Sequence, residues 1–195
     1  MTGLAHNTEK LAAGFTDAPI DAAYAFRAAL HAMARPGRIE TLSGVTPPAP
    51  VSPAAGALIL TLCDPDTALF LAPGHDTDTV RRWVLFHTGA RLTSASEADF
   101  ALGTWAALQP LDPYRSGTPD YPDRSVTLIV ECDELRADRH RLTGPGIETE
   151  AMLRLPETRA FTANRQLFPR GFDCYFTAGS SLAALPRSTR IEEVA

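Results

Sequence analysis

The chain has 195 residues, 45% of them hydrophobic, enough to bury about 70% of its unfolded surface, so one domain over residues 1 to 195 with a flexible start over 1 to 15 is expected. A net charge of -5 gives no global attraction to polyanions, which argues against nucleic acid or an anionic membrane as the main partner and leaves any anion site local. No signal-like start and no apolar run approaching about 18 residues is present, so a soluble, cytoplasmic protein is expected.

In chain order, Asp17-Ala18-Pro19 reads as a helix entry with proline in the first turn, and Phe26, Leu30 and Met33 recur at i, i+4 and i+7. Arg35-Pro36-Gly37 ends that helix before a strand over Arg38 to Leu42. A proline-rich connector from Thr46 to Pro53 leads to an apolar, internal helix over Ala54 to Leu62, with Ser52 and Pro53 as its start signal. Asp64-Pro65-Asp66-Thr67 then turns the chain into a strand over Ala68 to Ala72. Asp76 to Asp78 caps a helix to about His87, closed by Thr88-Gly89, and Arg91-Leu92 begins a further strand.

Phe100 to Gly103 and Val126 to Glu131 read as strands on either side of a loop rich in Pro, Gly and Asp. Arg141-Leu142-Thr143 is a short strand, Gly144-Pro145-Gly146 a turn, and Glu157 to Leu167 a helix. Residues 172 to 178 and 182 to 186 form a closing antiparallel hairpin around Gly179-Ser180-Ser181. The alternation fits an α/β fold, a three-layer α/β/α sandwich with a mixed sheet.

Lys10 is the only lysine, against 17 arginines. It lies in a polar N-terminal stretch, a poor place for a Schiff-base amine, which needs a dry, preorganised pocket. Cys63, Cys132 and Cys174 are too far apart for a CxxC clamp and are expected to be buried, reduced thiols. No P-loop or complete dinucleotide fingerprint occurs, and Gly179-Ser180-Ser181 departs from the GxSxG elbow and precedes a strand rather than a helix. His75 lacks a second histidine at ligand spacing, and His87 sits where a helix-dipole partner or core-edge group belongs. No catalytic residue and no metal site is assigned.

The arginines carry the remaining chemistry. Arg35 and Arg38 flank a turn, and Arg165, Arg170 and Arg187 edge the closing hairpin. Guanidinium forks in such positions suit carboxylates or phosphates, on a small molecule or on a partner protein. Arg170 follows Phe168-Pro169, and Arg187 follows the Pro186 that ends the last strand, so both are expected to face solvent.

Several segments occur in an ordered set: Phe26 to Gly37, Leu60 to Thr67, Phe86 to Ala90, Leu142 to Ile147, Phe168 to Asp173, and Pro186 to Ile191. From about residue 20 to the C-terminus this set resembles the PhnH family, the H subunits of the bacterial carbon-phosphorus lyase core complex. The resemblance implies phosphonate breakdown: with the G, I and L proteins, transfer of ribose triphosphate from ATP to an alkylphosphonate with release of adenine, before the J protein cleaves the carbon-phosphorus bond. It also implies a fold similar to the large domain of pyridoxal phosphate-dependent transferases, without pyridoxal phosphate or other cofactor. The expected partners are the G, I and J subunits, with a homodimer in isolation. On this reading the chain is a non-catalytic subunit; the alternative is a subunit that holds nucleotide or phosphonate through Arg35, Arg38, Arg165, Arg170 and Arg187.

Overall fold

The computed structural model describes residues 14 to 194. The expected flexible start lies outside them, apart from Gly14 and Phe15, and Phe15 packs against the core. Lys10 also lies outside the described residues.

Helix α1 spans Ala18–Ala34, α2 Pro53–Leu62, α3 Asp78–Thr88 and α4 Arg159–Gln166. The starts of the first three are set locally. The side chains of Asp17, Ser52 and Thr77 accept the backbone N–H groups of Ile20, Ala55 and Val80, orphan donors that the helix itself cannot satisfy. At the end of α3, Gly89 takes the left-handed conformation with φ 69°, the usual role of glycine past a helix terminus.

Seven strands form the main sheet: β1 Glu40–Thr41, β2 Ala68–Leu71, β3 Arg91–Leu92, β4 Phe100–Thr104, β5 Thr127–Glu131, β8 Asp173–Ala178 and β9 Ser181–Leu185. Their spatial order is β1-β9-β8-β5-β4-β2-β3. From β3 to β8 the pairs are parallel, whereas β9 and β1 are antiparallel additions. The sheet is therefore mixed and the class α/β, as expected.

The sheet separates two apolar clusters, and strand residues alternate between them. Ile129, Tyr175, Leu182 and Ala184 join Leu58, Ile59 and Trp83 on the side of α1, α2 and α3. Leu128, Val130, Cys174, Phe176, Ala183 and Leu185 face Phe161 of α4, Leu142 and Leu153 on the other. Burial on both faces explains the continuous apolar run of β5.

A second, three-stranded antiparallel sheet has the order β10-β6-β7, with β6 at His140–Thr143, β7 at Ala151–Met152 and β10 at Arg190–Glu193. Strands β7 and β10 are absent from the sequence expectation. The expected strand over 38 to 42 shortens to Glu40–Thr41, and the hairpin turn tightens to Gly179-Ser180 because Ala178 already pairs with Ser181.

In α1 the stripe that marks the helix in the sequence lies mostly off its buried side: of its three residues only Met33 packs against the core. Ala25, Ala29 and Ala32 are buried, while Phe26 and Leu30 are exposed. Small residues let the helix sit close to α2 and to the sheet, and that contact leaves no room for a phenyl ring.

Candidate functional site

The chain leaves β2 through α3 to reach the edge strand β3, then returns to β4 on the other side of β2. Such a reversal opens a crevice at the carboxyl ends of the strands. His75 follows β2 there, Thr104 and Trp105 end and follow β4, and Glu131 and Cys132 end and follow β5.

Glu131 organises this end of the sheet. Its Oε1 accepts the backbone N–H of Ser52 at 2.7 Å, and its Oε2 accepts the hydroxyl of Thr177 on β8 at 2.9 Å. The carboxylate thereby ties two parallel strands to the N-terminus of α2, where the helix dipole favours negative charge. His75 is buried, and its Nδ1 has no partner among the described residues. Burial lowers its pKa, opposed by the nearby Glu131 charge, so the ring is neutral at ordinary pH.

A cleft of about 410 Å³ at the same end is lined by Trp105, Glu131, Cys132, Asp133, Glu134 and Arg154, among others. Trp105 donates its indole N–H to Glu157 at 2.8 Å and stacks on Phe161. Arg154 is spent on Asp138, with Nε and Nη2 at 2.7 and 2.9 Å. A lining with three carboxylates and one paired arginine does not suit a phosphate.

The thiols are not poised as nucleophiles. Burial pushes Cys63 up to about 12 and Cys132 to about 11, and Cys174 well above its ordinary value. Cys63 and Cys174 are buried as expected, whereas Cys132 is half-buried. His87 stacks against Trp83 and Phe86 in the last turn of α3, at the edge of the core. Among the described residues no group of His, Cys, Asp or Glu could hold a metal ion.

The five arginines stand in two groups. Arg35 caps the end of α1 and is exposed, and Arg38, also exposed, places Nε 3.2 Å from Glu40. Arg165 donates Nε to the carbonyl of Ser188 at 3.0 Å, with its guanidinium 5.2 Å from the Phe168 ring centre, and Arg170 is exposed on the turn after α4. The loop Gly144-Pro145-Gly146 bridges the two groups. A Cβ on Gly146 would lie 2.0 Å from the carbonyl of Ala34, and one on Gly144 3.4 Å from that of Ser188. None of the five arginines lines any of the four clefts described for this surface.

Arg187 departs from expectation. Its side chain is only 13% exposed. It donates to Asp173 at 2.5 Å, to Ser125 Oγ at 2.6 Å and to the carbonyl of Pro122 at 2.7 Å. A guanidinium so occupied by its own chain does not face solvent.

Glu131 is absent from the candidates that the sequence offers, although a lone carboxylate closing an apolar strand is a signal: a charge there needs partners at the sheet's end. The helix end at Arg35-Pro36-Gly37 and the hairpin arginines are legible as positions, but not as two bridged groups.

Comparison with known proteins places the chain. A family model described as bacterial phosphonate metabolism protein (PhnH) matches residues 13–192. A protein of Rhizobium meliloti (strain 1021), alpha-D-ribose 1-methylphosphonate 5-triphosphate synthase subunit PhnH, is 39% identical over 189 residues, covering 91% of this chain and 94% of the relative. A protein of Stutzerimonas stutzeri, HtxG, provisionally named as a C-P lyase subunit, is 30% identical over 201 residues, with 91% and 94% covered. With the model spanning nearly all of its length and both relatives aligned almost end to end, the chain belongs to the PhnH family of bacterial phosphonate metabolism proteins.

Proposed function

We propose that this chain is the H subunit of a carbon-phosphorus lyase system, acting in alpha-D-ribose 1-methylphosphonate 5-triphosphate synthase as a required, non-catalytic partner of the G, I and J subunits. The observation that carries this reading is the end-to-end likeness to a protein named as that subunit, with 91% of this chain covered. In support, none of Arg35, Arg38, Arg165 and Arg170 lines any of the four clefts, and Gly144-Pro145-Gly146 lies against Ala34, next to Arg35, and against Ser188, whose carbonyl Arg165 meets. Arg35, Arg38, Arg165 and Arg170 are the contact residues, and Arg187 acts behind them as a buttress. Exposed guanidinium groups on open ground suit carboxylates of another protein.

The proposal includes a cytoplasmic, single-domain protein that uses no pyridoxal phosphate and pairs with itself when isolated. Its architecture is a three-layer arrangement akin to the large domain of pyridoxal phosphate-dependent transferases. Helices on one face of the sheet, with α4 and the small sheet on the other, support that arrangement.

The test is complementation in a strain lacking its H subunit, with pull-down of the G, I and J proteins. The parent chain should restore growth on an alkylphosphonate and retain its partners. Arg170→Ala should melt within about 0.5 kcal/mol of the parent, as exposed substitutions do, yet lose partners and growth. A parent chain that neither restores growth nor retains partners overturns the subunit reading; normal assembly of Arg170→Ala removes Arg170 from the contact surface.

A further inference from the structure

A cleft of about 510 Å³ opens between α4 and the segment 111–116, beside Phe172 at the amino end of β8 and so at the opposite end of the sheet from Glu131. Ala160, Ala163 and Leu167 fall by their spacing on one face of α4 and its last turn, and with Leu111 and Phe172 they form an apolar wall. Alanine at two successive turns of the helix keeps the space open, since a large side chain at either position would occupy it. The volume is that of a small-molecule site, and so is the character of the lining, apolar with a few polar groups.

Two polar side chains of the cleft are idle. Tyr114 is 9% exposed and meets Phe70 edge to face, ring centres 6.1 Å apart, yet its hydroxyl has no hydrogen-bond partner among the described residues. A buried phenol ordinarily finds one, because an unmet hydroxyl in apolar surroundings is costly. Burial pushes its pKa up to about 12, so the group stays neutral at ordinary pH. Asp112, two residues earlier and exposed, has neither an ion pair nor a hydrogen bond among the described residues. The neighbouring polar groups are committed. Arg115 is bound to Asp99 and to the carbonyls of Glu97 and Ala98, and Asn164 to the backbone of Phe172. Of the two charged residues in the lining, Asp112 is therefore the one whose charge is unmatched.

We propose that this cleft binds a small organic cation, a protonated amine on a short apolar body, with the ammonium held by Asp112 and Tyr114 and the body set against the alanine wall of α4 and Phe172. An ammonium has three N–H donors and no acceptor, and the two idle groups supply the complement: a carboxylate that only accepts, and a phenol oxygen with free lone pairs. The rings of Tyr114 and Phe172 favour a cation further, through the negative faces of their π-systems. A phosphate or carboxylate would meet the Asp112 charge and find no free cation in the lining. The inference goes beyond the subunit reading and does not rest on it, since none of the contact arginines lines this cleft.

The experiment is isothermal titration calorimetry of the full chain with phenethylamine to millimolar concentration, alongside phenylethanol, its uncharged isostere, and phenylpropionate, which reverses the charge. Phenethylamine should bind saturably at one site, about tenfold or more tighter than phenylethanol, because a hydrogen bond to a charged group contributes more than a neutral one. Phenylpropionate should not bind. Asp112→Asn should weaken the amine about tenfold and leave phenylethanol as it was. Tyr114→Phe keeps the ring against Phe70 and removes only a hydroxyl without a protein partner, so it should weaken the amine several-fold without lowering the melting temperature. Ala163→Phe, at an exposed position, fills the cleft and should abolish binding of both compounds. Circular dichroism melting checks each fold, and Ala160→Phe replaces Ala163→Phe if that variant fails to fold.

No saturable binding of phenethylamine by the parent, or phenylethanol bound as tightly, overturns the inference. An Asp112→Asn chain that binds the amine like the parent does the same. Binding that survives the filled cleft marks an adventitious surface site and also overturns it. Complementation and partner retention test the subunit reading separately: a chain that fails both can still bind the amine, and a chain that passes both can fail to bind it.

Discussion

Arg187 holds the end of the hairpin to the rest of the molecule. Its guanidinium joins Asp173 at the start of β8 to Ser125 Oγ and the carbonyl of Pro122, in the segment that leads into β5. Removing one partner of a largely buried, hydrogen-bonded ion pair leaves the other charge uncompensated. Arg187→Ala should therefore destabilise the protein by about 3 kcal/mol, read as a drop in the urea midpoint. A variant that melts with the parent would show that water replaces these contacts without loss. The sequence places Arg187 directly after a proline at a strand end, where solvent exposure is the ordinary outcome. What it does not display is that Ser125 and Pro122 lie 62 and 65 residues away. Glu131 is hidden for the same reason, since its partners Ser52 and Thr177 are 79 and 46 residues distant.

Elements that carry their own signals are legible in the chain. The caps at Asp17, Ser52 and Thr77 and the stop at Gly89 are local chemistry, and the three helices they bound lie where the residues place them. Strands β7 and β10 have no such signal. Two residues in one case and Arg-Ile-Glu-Glu in the other become strands only because β6 supplies the ladder, with Ile191 opposite Leu142 and Arg141 opposite Met152. Helix α1 shows the opposite failure: its period is plain, but which stripe faces inward depends on how closely α2 and the sheet approach. Helix α4 packs on the sheet through Phe161 and is hydrogen-bonded to the residue before β8 through Asn164. Buried Asn164 donates Nδ2 to the carbonyl of Phe172 at 2.8 Å and accepts the same residue's N–H at Oδ1, 2.9 Å away. Both bonds precede β8, so they set where that strand begins. Asn164→Ala leaves a backbone donor and acceptor without partners and should destabilise the protein by about 2 kcal/mol. Hydrogen exchange should show the loss spreading into β8; an unchanged Phe172 amide would refute this.

For the whole molecule, buried histidines connect stability to pH. His140, on β6, is 1% exposed, and its Nδ1 accepts the N–H of Leu155 at 3.1 Å, joining the small sheet to the segment that leads to α4. Burial lowers its pKa, Arg139 lowers it further, and Glu193 and Asp138 oppose both. His75 at the ends of the main sheet is also lowered by burial. A histidine depressed in the folded state binds its proton more readily when unfolded. Stability is therefore full above the unfolded value of about 6.5 and declines as pH falls from there toward the folded value. Protonation of His140 would also remove the acceptor for Leu155 and leave a charge on a side chain that is buried. The melting temperature should accordingly fall as pH drops from about 6.5 to about 5.5, a window above the titration of ordinary carboxylates. A glutamine in place of His140 can still accept the Leu155 N–H through its side-chain oxygen but does not titrate. His140→Gln should therefore flatten the pH dependence even if it lowers the melting temperature throughout. Equal slopes for the parent and His140→Gln would show that the proton taken up on unfolding belongs elsewhere, with His75 the next group to examine by the same comparison.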